Sequence, residues 1–142
     1  MPKEYFDRLY YCDRFQTYVN KVRPGTFDSL NKRYEHPRLI IPFYDVDNNV
    51  FAIQGRAFGK EQPKYLTLKL QENKQKIFGL ERVNLHKRLY VVEGPLDSLF
   101  LDNCIAAGGA DLQLPATNKD VVFIFDNEPR NKEIIDRMYK LI

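Results

Sequence analysis

The sequence predicts an α/β (α+β) chain in which a small antiparallel hairpin subdomain precedes a parallel-sheet α/β unit with flanking helices. Three observations carry that prediction. Leu39–Tyr44 and Val50–Arg56 are apolar runs on either side of the polar turn Asp45-Val46-Asp47-Asn48-Asn49, the pattern of a hairpin. From Arg88 onward, short apolar runs alternate with helix-like segments, as in parallel strands buried on both faces. Asn131–Ile142 carries Ile134, Ile135, Met138, Leu141 and Ile142 as a one-sided stripe, the mark of a flanking helix. The change of pattern divides the chain into residues 1–84 and residues 85–142.

The elements follow in order. Phe15, Tyr18, Val19 and Val22 recur at helical spacing, which predicts a helix from about Tyr5 to Val22 with its aromatics packed, stopped by Arg23-Pro24-Gly25. A short helical or irregular piece spans Thr26–Tyr34, then His36-Pro37 leads into the hairpin. A third strand is expected at Lys64–Leu70, and Ile77-Phe78-Gly79-Leu80 packs where the second half begins. Beyond it come a strand at Arg88–Val92, a short helix at Pro95–Leu101, a strand at Cys104–Ala107 ending on Gly108-Gly109, and a strand at Val121–Phe125. Three parallel strands closed by a helix read as an unfinished sheet, which predicts a truncated or split protein.

Composition sets the limits. With 44% hydrophobic and 13% aromatic residues the chain folds, and a net charge of +3 permits a polyanionic partner without requiring one. Lys60, Lys64, Lys69, Lys74, Lys76, Lys87 and Arg88 concentrate the positive charge in the middle third. Two cysteines and two histidines cannot build a disulfide framework or a zinc ribbon, so Cys12 and Cys104 are expected as reduced thiols in a cytoplasmic setting. No window approaches the ~20 apolar residues of a membrane span, and the charged start lacks a signal-peptide core.

The chemistry is expected at strand ends. The run Leu89–Val92 opens into Glu93-Gly94-Pro95-Leu96-Asp97, and Val121–Phe125 opens into Asp126-Asn127-Glu128. Ligands of open α/β sheets collect beyond the carboxyl ends of the strands. If these two strands are neighbours, Glu93, Asp97, Asp126 and Glu128 converge, and acids so crowded repel unless a cation separates them. Hard oxygen donors favour Mg²⁺ or Mn²⁺.

Arg88–Asp97 followed by Val121–Glu128 resembles the Toprim domain shared by replicative DNA primases, type IA and II topoisomerases and some nucleases. Upstream, Ile41-Pro42-Phe43, Gln54-Gly55-Arg56 and Pro63-Lys64-Tyr65 are similar to the segment that precedes Toprim in bacterial and tailed-phage primases. The resemblance covers most of the chain from about Leu39 to Ile142. It implies that residues 1–84 are the helical and antiparallel part of a primase core. Residues 85–142 are then its Toprim-like metal-binding part, incomplete at the C-terminus. The implied activity is Mg²⁺-dependent synthesis of RNA primers, by a nucleotidyltransferase, on a single-stranded DNA template. Ribonucleoside triphosphates are the implied substrates and a replicative helicase a further partner, in the host cytoplasm and with no membrane. Glu128 stands where the family more often has Asp, and the zinc-binding template reader is absent, which bears on the activity of the chain alone.

Each residue has a plainer reading beside the functional one. Glu93 is the implied central acid, against a turn carboxylate that caps the next helix. Asp97 either points back toward Glu93 as a metal ligand or offsets the helix N-terminus, and both readings stay open. Asp126 and Glu128 alternate along an extended segment and so share a side, which favours a shared ion over a lone cap. Arg56 and Lys64 are implied phosphate contacts, with Lys69, Arg130 and Lys132 on the same electropositive rim; a strand-end cation is otherwise simply solvated. Tyr65 is either a base-stacking ring or core. Two other functions compete: phosphodiester cleavage by a Toprim nuclease or topoisomerase-like module, and a non-catalytic nucleic-acid-binding module.

Overall fold

The computed structural model describes residues 3–28, 35–107, 112, 114, 120–126 and 132–140. The chain clusters into two units, Pro2–Tyr44 with Asn49–Lys74, and Gln75–Ile142 with Asp45–Asn48 and Met1. The predicted α/β (α+β) class holds, with an antiparallel sheet in the first unit and a mixed sheet in the second.

The first unit opens with a 3₁₀ turn at Lys3–Arg8. Strand β1 (Tyr10–Cys12), helix α1 (Phe15–Val22), and strands β2 (Arg38–Tyr44), β3 (Val50–Ala57) and β4 (Tyr65–Lys69) follow. The strands lie in the order β1-β2-β3-β4, each antiparallel to its neighbour. The β2–β3 turn forms as expected: Asp47 N–H donates to the Asp45 carboxylate at 3.0 Å, and Asn48 adopts a left-handed φ of 61°.

The single helix expected over Tyr5–Val22 is corrected to a 3₁₀ turn, an edge strand and a two-turn helix. Tyr10-Tyr11-Cys12 pairs instead with Ile40-Leu39-Arg38, so Cys12 is a strand residue. The expectation that the aromatics of this segment all pack is also corrected. Phe15 is buried, but Phe6, Tyr10, Tyr11 and Tyr18 are exposed.

α1 packs on one face of the sheet because Phe15 and Val19, one turn apart, meet Ile40, Ile53 and Leu68. Gly55 makes that approach possible, since a Cβ at this position would collide with the Phe15 ring. Arg14 supplies no side-chain cap for α1. Glu35 does so from outside the helix, accepting from Gln16 N–H at 2.8 Å and from the Thr17 hydroxyl at 3.0 Å.

In the second unit, β5 (Ile77–Phe78), β6 (Leu89–Val92), β7 (Cys104–Ala107) and β8 (Val121–Phe123) lie in the order β5-β7-β6-β8. β6 is parallel to both β7 and β8, while β5 runs antiparallel to β7 and makes the sheet mixed. Ile77, Leu89, Val91 and Ile105 form the core, with Leu112, Leu114, Val121 and Phe123 against it. Helix α2 (Lys132–Lys140) completes the described residues; Ile135 is half-buried and Met138 exposed. The helix expected at Pro95–Leu101 is a 3₁₀ turn over Asp97–Phe100. Gly108-Gly109 and residues 29–34 fall outside the described residues.

Candidate functional site

The acid-bearing edge belongs to the second unit. Leu89, Tyr90 and Val91 of β6 stand opposite Val121, Val122 and Phe123 of β8 in parallel register. The ladder continues past the strand ends, with Ile124 N–H donating to Val91 O at 2.8 Å. At the opposite end, Arg88 Nε pairs with both Asp120 carboxylate oxygens at 3.0–3.1 Å, and that carboxylate holds the guanidinium above its ordinary pKa. The segments carrying Glu93 and Asp126 therefore leave the same edge of adjacent parallel strands, where open sheets collect ligands.

Glu93 is half-buried one residue beyond β6, and Asp126 is exposed three residues beyond β8. Asp97 opens the 3₁₀ turn with its carboxylate lying back over Gly94, where a Cβ would collide with it. Glu93, Asp97 and Asp126 offer only carboxylate oxygens, the ligand type of a hard divalent cation, and the first two share one turn. Among the described residues, no three acids, histidines or cysteines stand close enough to hold a metal ion. Glu128 and Arg130 lie outside the described residues.

A second feature belongs to the first unit. Tyr11, Leu39, Arg56 and Tyr65 stand directly opposite one another on successive strands, so they share a face in one row across the sheet. Tyr65 is 40% exposed and Tyr11 66%, so Tyr65 is not core. Arg56 Nε reaches the Tyr65 hydroxyl at 3.4 Å, and Lys64 Nζ sits 5.6 Å from the Tyr65 ring centre. Phe58 extends the row, its ring 5.8 Å from that of Tyr11. Lys69 lies on the same face but donates to Glu72 O at 3.2 Å. Lys132 is exposed at the start of α2.

Comparison with known proteins finds one similar along the whole chain. The DNA primase of Enterobacteria phage T4 is 40% identical over 145 residues, a match that spans all of this chain and 41% of the relative. The chain is a homologue of that phage primase. It spans about two fifths of the length of the curated relative it matches. No protein-family model matches.

Two solved primase structures share the fold. A DNA primase domain from Pseudomonas aeruginosa superposes with a TM-score of 0.64 at 20% identity, over 96% of this chain and 54% of that one. A DnaG primase catalytic domain bound to single-stranded DNA gives 0.53 at 23% identity, over 69% and 37%.

Within this primase homologue, two arginines that sequence reasoning passed over hold the featured segments. Arg38 is only 3% exposed; its Nη1 donates to Gly55 O at 3.2 Å and Pro63 O at 3.0 Å, and its guanidinium lies 5.5 Å from the Phe15 ring centre. Burial pulls its pKa below the ordinary arginine value, with Glu61 opposing. It thus fixes the backbone from which Arg56 and Lys64 project. In the second unit Arg82 Nη2 donates to Ser98 Oγ at 2.7 Å and Cys104 O at 2.8 Å. Nothing local in the sequence marks either arginine, because the acceptors of these side-chain hydrogen bonds are at least 16 residues away.

Proposed function

We propose that this chain is part of the polymerising core of a DNA primase, joining ribonucleotides on a single-stranded DNA template in the cytoplasm of a bacterial host. The observation that carries the reading is the parallel adjacency of β6 and β8, from whose carboxyl ends Glu93 and Asp126 emerge. The phage relative supports it, as does a related catalytic domain bound to single-stranded DNA.

In this reading Glu93 and Asp126 are the catalytic carboxylates, and with Asp97 and Glu128 they hold Mg²⁺ or Mn²⁺. A divalent ion held there would offset the negative charge that builds up as a 3′-hydroxyl gives up its proton and attacks the α-phosphate of a ribonucleoside triphosphate, with pyrophosphate leaving. The protein's own part is positional. Gly94 lets the Asp97 carboxylate lie against the backbone beside Glu93, so two donors share one short turn. Arg56 and Lys64 contact template phosphates, Arg56 by a fork and Lys64 as a point charge, with Tyr65 between them as a stacking ring. Lys69 adds to the same positive rim, and Arg130 and Lys132 are further candidate phosphate contacts.

The test is divalent binding joined to synthesis. Calorimetric titration gives Mg²⁺ or Mn²⁺ binding to the wild-type chain and its loss in Asp126→Asn and Glu93→Gln. Labelled ribonucleotides are incorporated on a single-stranded template only when Mg²⁺ is present. Unchanged divalent affinity in Asp126→Asn removes the metal assignment, and nicking of duplex DNA without incorporation replaces the polymerising reading with a cleaving one.

A further inference from the structure

The turn that carries Glu93 and Asp97 is short and has few backbone bonds of its own. Ser98 N–H donates to Gly94 O at 3.2 Å and Leu99 N–H to Leu96 O at 3.1 Å. What closes it is the fully buried hydroxyl of Ser98, which donates to Pro95 O at 2.7 Å and accepts from Arg82 Nη2 at 2.7 Å. The same nitrogen donates to Cys104 O at 2.8 Å, so one guanidinium ties the turn after β6 to the start of β7.

The seat for that guanidinium is built. The Phe78 ring centre lies 4.7 Å from Arg82 Cζ, and Gly79, at φ 94°, presents a bare Cα where any Cβ would meet the guanidinium. Arg82 N–H donates to Gly79 O at 3.3 Å, which folds the chain back on itself. Residues 78–82 thus form a cradle that directs the Arg82 guanidinium at Ser98 and Cys104.

We propose that Arg82 is a positioning residue, which sets the geometry of the Glu93–Asp97 turn through Ser98 and thereby the strength of divalent-ion binding. The second half of this statement rests on the metal reading above; the first half does not. Both bonds leave a single nitrogen, so a lysine ammonium can reproduce them, whereas a methionine of similar bulk cannot.

The experiment compares the wild-type chain with Arg82→Met, Arg82→Lys, Ser98→Ala and, as a conservative core control on β7 that keeps the clamp's hydrogen bonds, Ile105→Val. Amide exchange in the metal-free protein reads the turn directly. Mn²⁺ binding followed by electron paramagnetic resonance reads the consequence. Arg82→Met and Ser98→Ala accelerate exchange at Ser98 and Leu99 while β6 amides keep their protection, and they weaken Mn²⁺ binding about tenfold or more. Arg82→Lys stays within about threefold of wild type and Ile105→Val within about twofold. Wild-type exchange at Ser98 and Leu99 in Arg82→Met overturns the proposal, as does a loss of protection spread evenly over β6. A wild-type chain that binds no Mn²⁺ removes the metal reading, and the clamp is then judged on exchange alone.

Discussion

Gly55→Ala is the sharpest test of why the Gln54-Gly55-Arg56 segment has its sequence. Gly55 stands opposite Ile40 on one side and Leu66 on the other, beneath the ring of Phe15, which its added methyl would enter. Forcing a methyl into a filled core costs ~1–3 kcal/mol. Replacing glycine by alanine in a strand returns ~0.5–1 kcal/mol of backbone entropy. α1 cannot simply slide away, because Glu35 holds Gln16 N–H and the Thr17 hydroxyl. The net expectation is a loss of about 1–2 kcal/mol, a large part of the 5–15 kcal/mol that holds a typical domain folded. Urea unfolding followed by tyrosine emission suits the first unit, since only Tyr90 and Tyr139 of the nine tyrosines lie beyond residue 74. With a denaturant slope of ~1–3 kcal/mol per molar, the midpoint falls by about 0.3–2 M. Phe15→Leu then costs less in the Gly55→Ala background than in wild type, because the smaller side chain makes room for the methyl. An unchanged midpoint joined to weakened single-strand binding refutes the packing argument and gives Gly55 to the ligand instead.

Three further outcomes follow. Arg56→Ala and Lys64→Ala each lower the salt slope of single-stranded DNA binding by about 0.7, measured by fluorescence anisotropy from low to moderate salt. Tyr65→Ala weakens the same binding by ~1–3 kcal/mol and leaves the slope unchanged, since a stacked base releases no counterion. Burial raises the Cys104 thiol above its ordinary 9.0, with Arg82 opposing. The unfolded chain therefore loses that proton first as pH rises, and stability falls above about pH 9. Urea midpoints drop further between about pH 8 and 10 in wild type than in Cys104→Ala.

Strands with their own hydrophobic pattern were legible, and so was the turn between β2 and β3, because both signals are local. β1 was not. Three residues give no period, and Tyr10–Cys12 becomes a strand only through pairing with Arg38–Ile40, far along the chain. The helical spacing of Phe15, Tyr18, Val19 and Val22 is real, yet it was extended back over residues that the sheet edge had claimed. The start of α1 was hidden for a related reason: its cap comes from Glu35 and not from a capping residue beside it. At the acid edge, the two strands and the carboxylates that follow them are legible in the sequence, whereas their adjacency, only a condition there, comes from the pairing of β6 with β8. The exposure of Tyr11 and Tyr65 could not, because alternation assigns a residue to a face but not to water.

Charge counting fails here for a reason visible at Arg38 and Arg82. The 22 lysines and arginines suggest a basic surface, but these two direct their guanidinium hydrogens at backbone carbonyls. A buried carbonyl without a donor costs ~1–3 kcal/mol, so such a cation is held by the fold and is not available to a phosphate. Each sits where a featured segment meets its sheet: Arg38 under Gly55 and Pro63, beside Arg56 and Lys64, and Arg82 between Ser98 and Cys104, beside the Glu93–Asp97 turn. In each case a single guanidinium nitrogen serves two or more acceptors at once. Exposed cations such as Lys64 have the converse property, being unconstrained enough to follow a flexible polyanion. Such a division of labour would make a net charge of only +3 compatible with the proposed nucleic-acid contacts. What matters is which few cations the fold leaves facing water, and in the first unit those include Lys64 beside the exposed ring of Tyr65.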